Sequence, residues 1–177
     1  ILRELVPLKR ELGIDASWEV VQGEDTFYQC TKNFHNGLQG NPVPMSEHLL
    51  KSFEETNARN AEELRPILEN ADVVFIHDPQ PILLRNGCPN RTGKWIWRCH
   101  IDLSKPFRPV WKYLREFAKD YDASIFSLAD FAQPLPHTQY LIPPSIDPLS
   151  EKNKDLPEDE ITAVRERFGL DPERPLM

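Results

Sequence analysis

The segment VVFIHDPQP, residues 73–81, leads from an apolar run straight into side chains that could do chemistry. His77, Asp78 and Gln80 follow the four apolar residues. An imidazole can move a proton near neutral pH, a carboxylate can stabilise positive charge, and an amide can donate and accept hydrogen bonds. Because such groups resist burial, their position indicates a site at the end of a buried strand.

The segment WRCHIDLS, residues 97–104, is built in the same way. Residues 94–97 read as a strand that enters a core, and Arg98, His100 and Asp102 follow. Ligands of an open parallel sheet bind outside the carboxyl ends of its strands, so neighbouring strands would bring both polar sets to one crevice. One histidine at a strand end is usually structural, but two strands that both end in His and Asp favour a site.

A third segment, FHNGLQG at residues 34–40, could bind sugar hydroxyls. His35, Asn36 and Gln39 could share one face at the end of a helix, which the two glycines of the segment would terminate. Amide side chains offer both donors and acceptors, which suits hydroxyl groups. The plain alternative, an ordinary helix C-terminus with solvated polar residues, is equally open at this point.

The spacing of apolar residues predicts the elements that carry these segments. Predicted helices lie at residues 1–12, 25–38, 46–69 (as one helix or two), 80–85, 107–119 and 158–168. Predicted strands lie at residues 17–21, 72–76, 94–99, 123–126 and 140–142, with a last one starting at residue 174. Strands that alternate with helices predict an α/β fold with a mainly parallel sheet, in which the apolar strand 72–76 is covered on both faces. Most aromatic residues between 95 and 117 are expected in the core.

The composition predicts a soluble, globular protein without a nucleic-acid or membrane surface. The 177 residues are 40% hydrophobic and 28% charged, and the net charge is −7. No basic cluster exceeds two adjacent residues, and no apolar run approaches the roughly 20 residues of a membrane span. Cys30, Cys88 and Cys99 are odd in number and form no CxxC pair. They are therefore expected as free thiols of a cytoplasmic protein rather than as disulfides or zinc ligands.

Four motifs together resemble a known family. FHNGLQG, FIHDPQP, WIWRCHIDLS and LIPPSIDPLSEKN occur in this order, at similar spacing, in the trehalose glycosyltransferring synthases. These enzymes are similar to the trehalose phosphorylases and belong to the retaining GT-B glycosyltransferases of family 4. The resemblance spans essentially the whole chain, and it implies a Rossmann-like, mainly parallel sheet flanked by helices.

The resemblance also implies a domain organisation. Residues 1–142 match the N-terminal, acceptor-side domain of a GT-B enzyme, without the first strand that precedes the opening helix in the family. Residues 143–177 match the interdomain hinge and the start of the C-terminal donor domain, which is otherwise missing from this sequence. The chain by itself is therefore expected to be inactive.

The implied activity is that of a retaining hexosyltransferase. Glucose would pass from a nucleotide-glucose to a second glucose, forming trehalose reversibly, with front-face attack and with the departing phosphate taking the acceptor's proton. The implied partners are glucose or trehalose, and ADP-, UDP- or GDP-glucose held through the C-terminal domain. No cofactor or metal is implied, and a homodimer is compatible with this picture.

The resemblance assigns roles to the residues of the three segments. His100, which in this family reaches toward the transferred glucose, and Asp102 are the expected catalytic residues. The expected residues for binding the acceptor or another sugar are Arg98, His77, Asp78, Gln80, His35, Asn36 and Gln39.

Two alternatives from other classes are open. His77, Asp78, His100 and Asp102 are residue types that bind metal, as in a metal-dependent hydrolase, although no motif such as HExxH supports that function. A noncatalytic α/β interaction domain is the other alternative, and it would ignore glucose and trehalose.

Overall fold

The computed structural model describes residues 2–145, 153–171 and 174, with side chains from residue 5 onward. Helices and strands alternate in it, beginning with α1 (Leu2–Glu11), α2 (Asp25–Leu38), α3 (Glu47–Leu68), β1 (Val73–His77), a 3₁₀ helix (Leu84–Gly87) and β2 (Lys94–Arg98). They continue with α4 (Arg108–Ala118), β3 (Ala123–Phe126), a second 3₁₀ helix (Ala129–Phe131), β4 (Thr138–Leu141) and α5 (Glu158–Arg167). The described residues form two compact units, one within Ser17–Pro144 and one from the segments 1–16 and 145–177.

The larger unit contains a parallel sheet whose strands follow one another in the order β1, β2, β3, β4. Each described strand is parallel to its neighbour, and the register sets His77 opposite Arg98 and Arg98 opposite Ile125. The predicted α/β class with a Rossmann-like parallel sheet is confirmed. Because the strands are parallel, the carboxyl ends of β1 and β2 meet at one edge of the sheet.

The core of this unit is centred on β2 and β3. Trp95 and Trp97 of β2 are fully buried, and the four residues of β3 are all buried. α4 begins with Pro109 in its first turn, where the missing N–H costs no hydrogen bond. Its buried residues recur at helical spacing, and Trp111 contacts Trp97 with a centroid separation of 6.4 Å. The aromatic residues around β2 therefore belong to the core, as predicted.

α3 is one continuous helix that carries polar groups on its buried face. The side chain of Ser46 begins it by accepting a hydrogen bond from the N–H of Leu49. Asn60 then bonds the backbone of Gln22 twice, accepting from its N–H and donating to its carbonyl, at 2.8 Å each. This pair of bonds fixes the segment that leads into α2.

Two sequence predictions about strands are wrong. Residues 17–21 are not a strand, because a strand needs a partner and the described residues provide none for this segment. Strand β1 is not covered on both faces: Val74 and Ile76 are buried, but Val73 and Phe75 are 47% and 44% exposed. In the described sheet β1 is an edge strand, and only one of its faces meets the core.

Other predictions near the ends of elements are shifted or lie outside the described residues. The short helix predicted at 80–85 is a 3₁₀ helix at Leu84–Gly87. The hinge predicted from 143 onward has no regular structure at 143–145, and residues 146–152 are outside the described part. The strand predicted to start at 174 falls outside it too, apart from residue 174 itself. The domain boundary between 142 and 143 stays a prediction.

The smaller unit contributes α1 and α5. α5 has three acidic residues in its first turn and two arginines in its last turn, an order that complements the helix dipole. No residue of α5 is buried. In the described part of the chain, none of the helices combines the length and the apolar composition needed to cross a membrane.

Candidate functional site

The two polar strand ends lie side by side at the carboxyl edge of the sheet. His77 closes β1, and Arg98, its direct neighbour in the register, closes β2. The neighbouring strands that the sequence argument required are therefore present. This edge is where open parallel sheets bind ligands.

The imidazoles of His77 and His100 are in direct contact. Nδ1 of His77 lies 2.9 Å from Nε2 of His100, and the ring planes differ by 12°. The ring centroids are 5.2 Å apart, which exceeds the N–N distance by about two ring radii. The rings therefore meet edge to edge in nearly one plane, as a hydrogen bond between ring nitrogens requires.

This contact couples the tautomers of the two rings. One of the facing nitrogens must carry the proton and the other must offer a lone pair, so at least one ring is neutral. If Nδ1 of His77 donates, neutral His100 carries its own proton on Nδ1; if Nε2 of His100 donates, neutral His77 carries its proton on Nε2. A neutral pair thus has the same tautomer in both rings. In such a pair, one of the two remaining ring nitrogens carries a proton and the other carries a lone pair.

Asp78 joins the two strand ends through three hydrogen bonds. Its N–H donates to the carbonyl of Arg98 at 2.8 Å, and its carbonyl accepts from Nε1–H of Trp97 at 2.9 Å. Its Oδ1 accepts from the N–H of His100 at 2.8 Å. Backbone and side chain of this one residue therefore hold both segments together.

Arg98 brings a positive charge into a nearly closed environment. The residue is 7% exposed. Burial lowers the pKa of its guanidinium, and the nearby carboxylate of Asp78 opposes that shift. Within the described residues, no ion pair or hydrogen bond is formed by its guanidinium. The charge of Arg98 is therefore balanced mainly at a distance, by Asp78.

Asp102 and Gln80 hold the loops that follow the strands. Oδ1 of Asp102 accepts from the N–H of Ser104 at 2.7 Å, which makes a turn in which the side chain replaces a backbone acceptor. The carbonyl of Gln80 accepts from Nδ2 of Asn57 at 3.0 Å. The side chains of Asp102 and Gln80 belong to half-buried residues, so both remain partly accessible.

The segment FHNGLQG forms the end of α2 and packs against the loop between β2 and α4. The carbonyl of Gly37 accepts from the N–H of Phe107 at 2.8 Å. A Cβ on Gly37 would lie 2.6 Å from Cγ2 of Val110, so the absence of a side chain permits this approach. His35 and Gln39 are exposed and Asn36 is half-buried. Among the contacts of the described residues, none joins these three side chains to the histidine pair.

Asn57 was not predicted from the sequence. It is fully buried on α3, and Nδ2 donates to the carbonyl of Phe53 as well as to that of Gln80, at 3.0 Å each. The helical spacing of the sequence could have indicated it, because Thr56, Asn57 and Asn60 lie on the same face of α3 as the apolar residues Phe53 and Ala61, and that face is buried. Polar residues on a buried helix face must find partners, and Asn57 finds one in the loop that follows β1, at the carbonyl of Gln80.

The described residues include no group of three or more His, Cys, Asp or Glu side chains that could hold a metal ion. His77 and His100 bring two imidazoles together. The two nearby carboxylates, Asp78 and Asp102, each direct Oδ1 to a backbone N–H.

Comparison with known proteins agrees with the resemblance in the motifs. A family model described as "Trehalose synthase, N-terminal domain" matches residues 1–133. Proteins named trehalose synthase are 48% identical to the chain over 180 residues in both Thermococcus litoralis and Pyrococcus furiosus, and one from Rubrobacter xylanophilus is 42% identical over 182 residues. Each match covers 100% of the chain but only 43–44% of the relative. The chain thus spans less than half the length of these relatives.

Proposed function

The chain belongs to the trehalose synthase family, and from this membership we propose that it is the acceptor-side domain of a retaining glycosyltransferase. The reaction would transfer glucose from a nucleotide-glucose to glucose and form trehalose reversibly. The observation that carries the proposal is the 48% identity that extends over the whole chain to proteins named trehalose synthase.

The proposed chemistry requires orientation more than acid–base power from this domain. As the bond between glucose and the nucleotide ionises, positive charge develops on the transferred glucose, and the departing phosphate takes the proton of the attacking hydroxyl. An acceptor held close to that carbon in the right orientation reacts faster because little freedom remains to be lost. This domain would supply the groups that hold it.

The contacts at the sheet edge support this division of roles. The contact between His77 and His100 holds two imidazoles side by side at this edge, where each could form hydrogen bonds to sugar hydroxyls. We assign His100 to the transferred glucose and His77 to the acceptor. Asp102, two residues after His100 in the chain, would supply negative charge, and Arg98 would add a positive charge at the end of β2.

The rest of the acceptor side is proposed from position alone. Gln80 and Asp78 lie on the loop that follows β1. The segment with His35, Asn36 and Gln39 packs against the loop that follows WRCHIDLS, through the contact between Gly37 and Phe107. That contact supports a shared rim, on which these side chains would meet the acceptor.

Partners and location complete the proposal. The acceptor is glucose, with trehalose as the substrate of the reverse reaction, and the donor is ADP-, UDP- or GDP-glucose bound mainly outside this chain. We also propose that the protein can form a homodimer. We place the reaction in the cytoplasm, where the free thiols of Cys30, Cys88 and Cys99 would stay reduced.

A graft tests the function directly. The chain replaces the matching 180 residues of the T. litoralis relative, and the chimera is incubated with each nucleotide-glucose and glucose. We expect α,α-trehalose as the product, identified by NMR. A folded chimera that makes no disaccharide with any of the three donors, or makes one of inverted anomeric configuration, contradicts the proposal.

His100→Ala in the same chimera tests the site. Loss of a contact worth about 3 kcal/mol would lower turnover roughly a hundredfold, because each 1.36 kcal/mol corresponds to a factor of ten. The melting temperature should hardly change, since His100 is exposed. His48→Ala, at an exposed histidine on α3, is the matched control and should keep full turnover. A large drop in melting temperature with preserved specific activity would make His100 structural.

The same samples address the two alternatives. Stoichiometric zinc or manganese, bound in a manner that His77→Ala abolishes, would favour the metal-dependent hydrolase. A noncatalytic interaction domain would show no response of the histidine resonances to glucose or trehalose.

A further inference from the structure

Asp78 has a backbone conformation that its sequence position disfavours. Its φ of 62° lies in the left-handed region, and within the described part of the chain it is the only non-glycine residue with a positive φ. Pro79 follows it, and a residue before proline prefers an extended conformation. Such a conformation persists only where surrounding contacts enforce it, and it is typical of functional sites.

The conformation serves the bond between Asp78 and His100. With its N–H tied to Arg98 and its carbonyl tied to Trp97, the backbone of Asp78 has little freedom. The side chain then reaches the N–H of His100, two residues beyond the end of β2. At that point the parallel ladder between β1 and β2 has ended, at the pair His77 and Arg98. The carboxylate thus extends the connection between the segments past the end of the sheet.

We propose that Asp78 is the positioning residue of the histidine pair: its Oδ1 holds the backbone of His100 so that the two imidazoles meet. His77 is placed by β1 and its register, whereas His100 lies in a loop. The hydrogen bond between Oδ1 of Asp78 and the N–H of His100 fixes the backbone of His100, where the strand pairing of β1 and β2 has already ended. The proposal rests on the proposed function for its catalytic meaning, but the contact it explains is a property of the chain itself.

Three substitutions separate the features of Asp78. Asp78→Asn keeps an acceptor oxygen and tolerates the left-handed conformation, but it removes the charge. Asp78→Gly adopts that conformation freely but has no acceptor. Asp78→Ala has neither property and reports the combined effect. All three are made in the 177-residue chain, and folding is checked by circular dichroism and thermal melting.

The measurement is the tautomeric state of His77 and His100, read from ring ¹⁵N shifts in long-range ¹H–¹⁵N spectra. His77→Gln and His100→Gln assign the two rings among the five histidines. In the unsubstituted chain at a pH where both rings are neutral, we expect the same single tautomer in both. This readout needs no sugar and no turnover, so it is independent of whether the family reaction is the one proposed.

We expect Asp78→Asn to keep the shared tautomer and Asp78→Gly to lose it, so that the two rings no longer have the same tautomer. In the chimera described above, turnover should fall less than about tenfold for Asp78→Asn and about a hundredfold for Asp78→Gly. A folded Asp78→Gly chain that keeps the shared tautomer overturns the proposal. Loss of the tautomer in Asp78→Asn also overturns it, because the charge and not the hydrogen bond would then matter. If Asp78→Gly does not fold, Asp78→Ala takes its place as the variant without an acceptor, and loss of the shared tautomer in Asp78→Asn still overturns the proposal.

Discussion

Single residues at the strand ends are held in place by bonds to the backbone. Asp78 and Asp102 each direct Oδ1 to a backbone N–H, at 2.8 and 2.7 Å, and His77 and His100 hold each other at 2.9 Å. Side chains fixed in this way have already lost rotamer freedom before a ligand arrives. Preorganisation of this kind lowers the entropy cost of binding.

His137 is a residue whose environment predicts a pH effect on stability. Neither of its buried ring nitrogens has a hydrogen-bond partner among the described residues. Burial lowers its pKa, and the nearby carbonyls of Lys119 and Tyr121 and the carboxylate of Asp122 oppose the shift without cancelling it. The unfolded chain therefore binds this proton more readily than the folded chain.

Stability should consequently decrease as the pH falls through the unfolded value of about 6.5, and should be recovered above it. We predict that His137→Gln reduces the loss of melting temperature between about pH 7.5 and 5.5, measured by differential scanning calorimetry. His48→Gln, at an exposed site, is the control. An unchanged pH dependence in the His137 variant would contradict the prediction.

At the scale of elements, the end of α2 and the loop before α4 are fitted to each other by small residues. Gly37 lets Val110 and Val43 approach its Cα closely. Gly40, with a φ of 97°, ends the turn after the helix, and a Cβ there would lie 2.8 Å from the carbonyl oxygen of Lys105. The close approach fixes where the loop after WRCHIDLS runs.

We predict that Gly37→Ala destabilises the chain. The added methyl group would meet Cγ2 of Val110 at 2.6 Å, and overpacking of this kind costs about 1–3 kcal/mol. For a domain of this size, each kcal/mol lowers the melting temperature by roughly 2–4 °C. Alanine's higher helix propensity opposes the effect by up to about 1 kcal/mol.

Lys32→Ala, at an exposed position of the same helix, is the control and should leave the melting temperature within about 2 °C. Thermal melts of both variants at one pH suffice. A higher melting temperature for Gly37→Ala would mean that α2 and α4 are not as closely packed as described.

At the scale of the whole molecule, the sheet edge supplies only part of what the proposed reaction needs. In the proposed reaction, the contacts at this edge would orient the acceptor, whereas the donor would bind mainly in the C-terminal part. The chain spans 43% of the length of two of the relatives. We therefore expect that the chain alone could bind an acceptor sugar without catalysing its glycosylation.

We predict that the 177-residue chain alone forms and cleaves no trehalose with any nucleotide-glucose. Without a second wall of the cleft, the donor would not be held in line with the acceptor, and the rate gain from orientation would be lost. Product NMR after long incubation measures this, with the complete T. litoralis relative as the positive control. Turnover by the purified chain alone would show that the domain assignment is mistaken.

The sequence by itself determined the local elements. The helix predicted at 25–38 is observed at Asp25–Leu38, and the strand predicted at 123–126 is observed at Ala123–Phe126. Apolar spacing and glycine positions act over a few residues, so they can be read without a partner. The same local pattern showed that polar groups follow two apolar strands, and the motifs showed the family.

Only the tertiary structure decided what these groups do to one another. The contact between His77 and His100, the bond from Asp78 to His100 and the bond from Asn57 to Gln80 join residues separated by 22 or 23 positions in the chain. The strand predicted at residues 17–21 was wrong for the same reason, because a strand forms only when a partner distant in the chain pairs with it. Register and packing fix such contacts, and neither is encoded in the periodicity of a single segment.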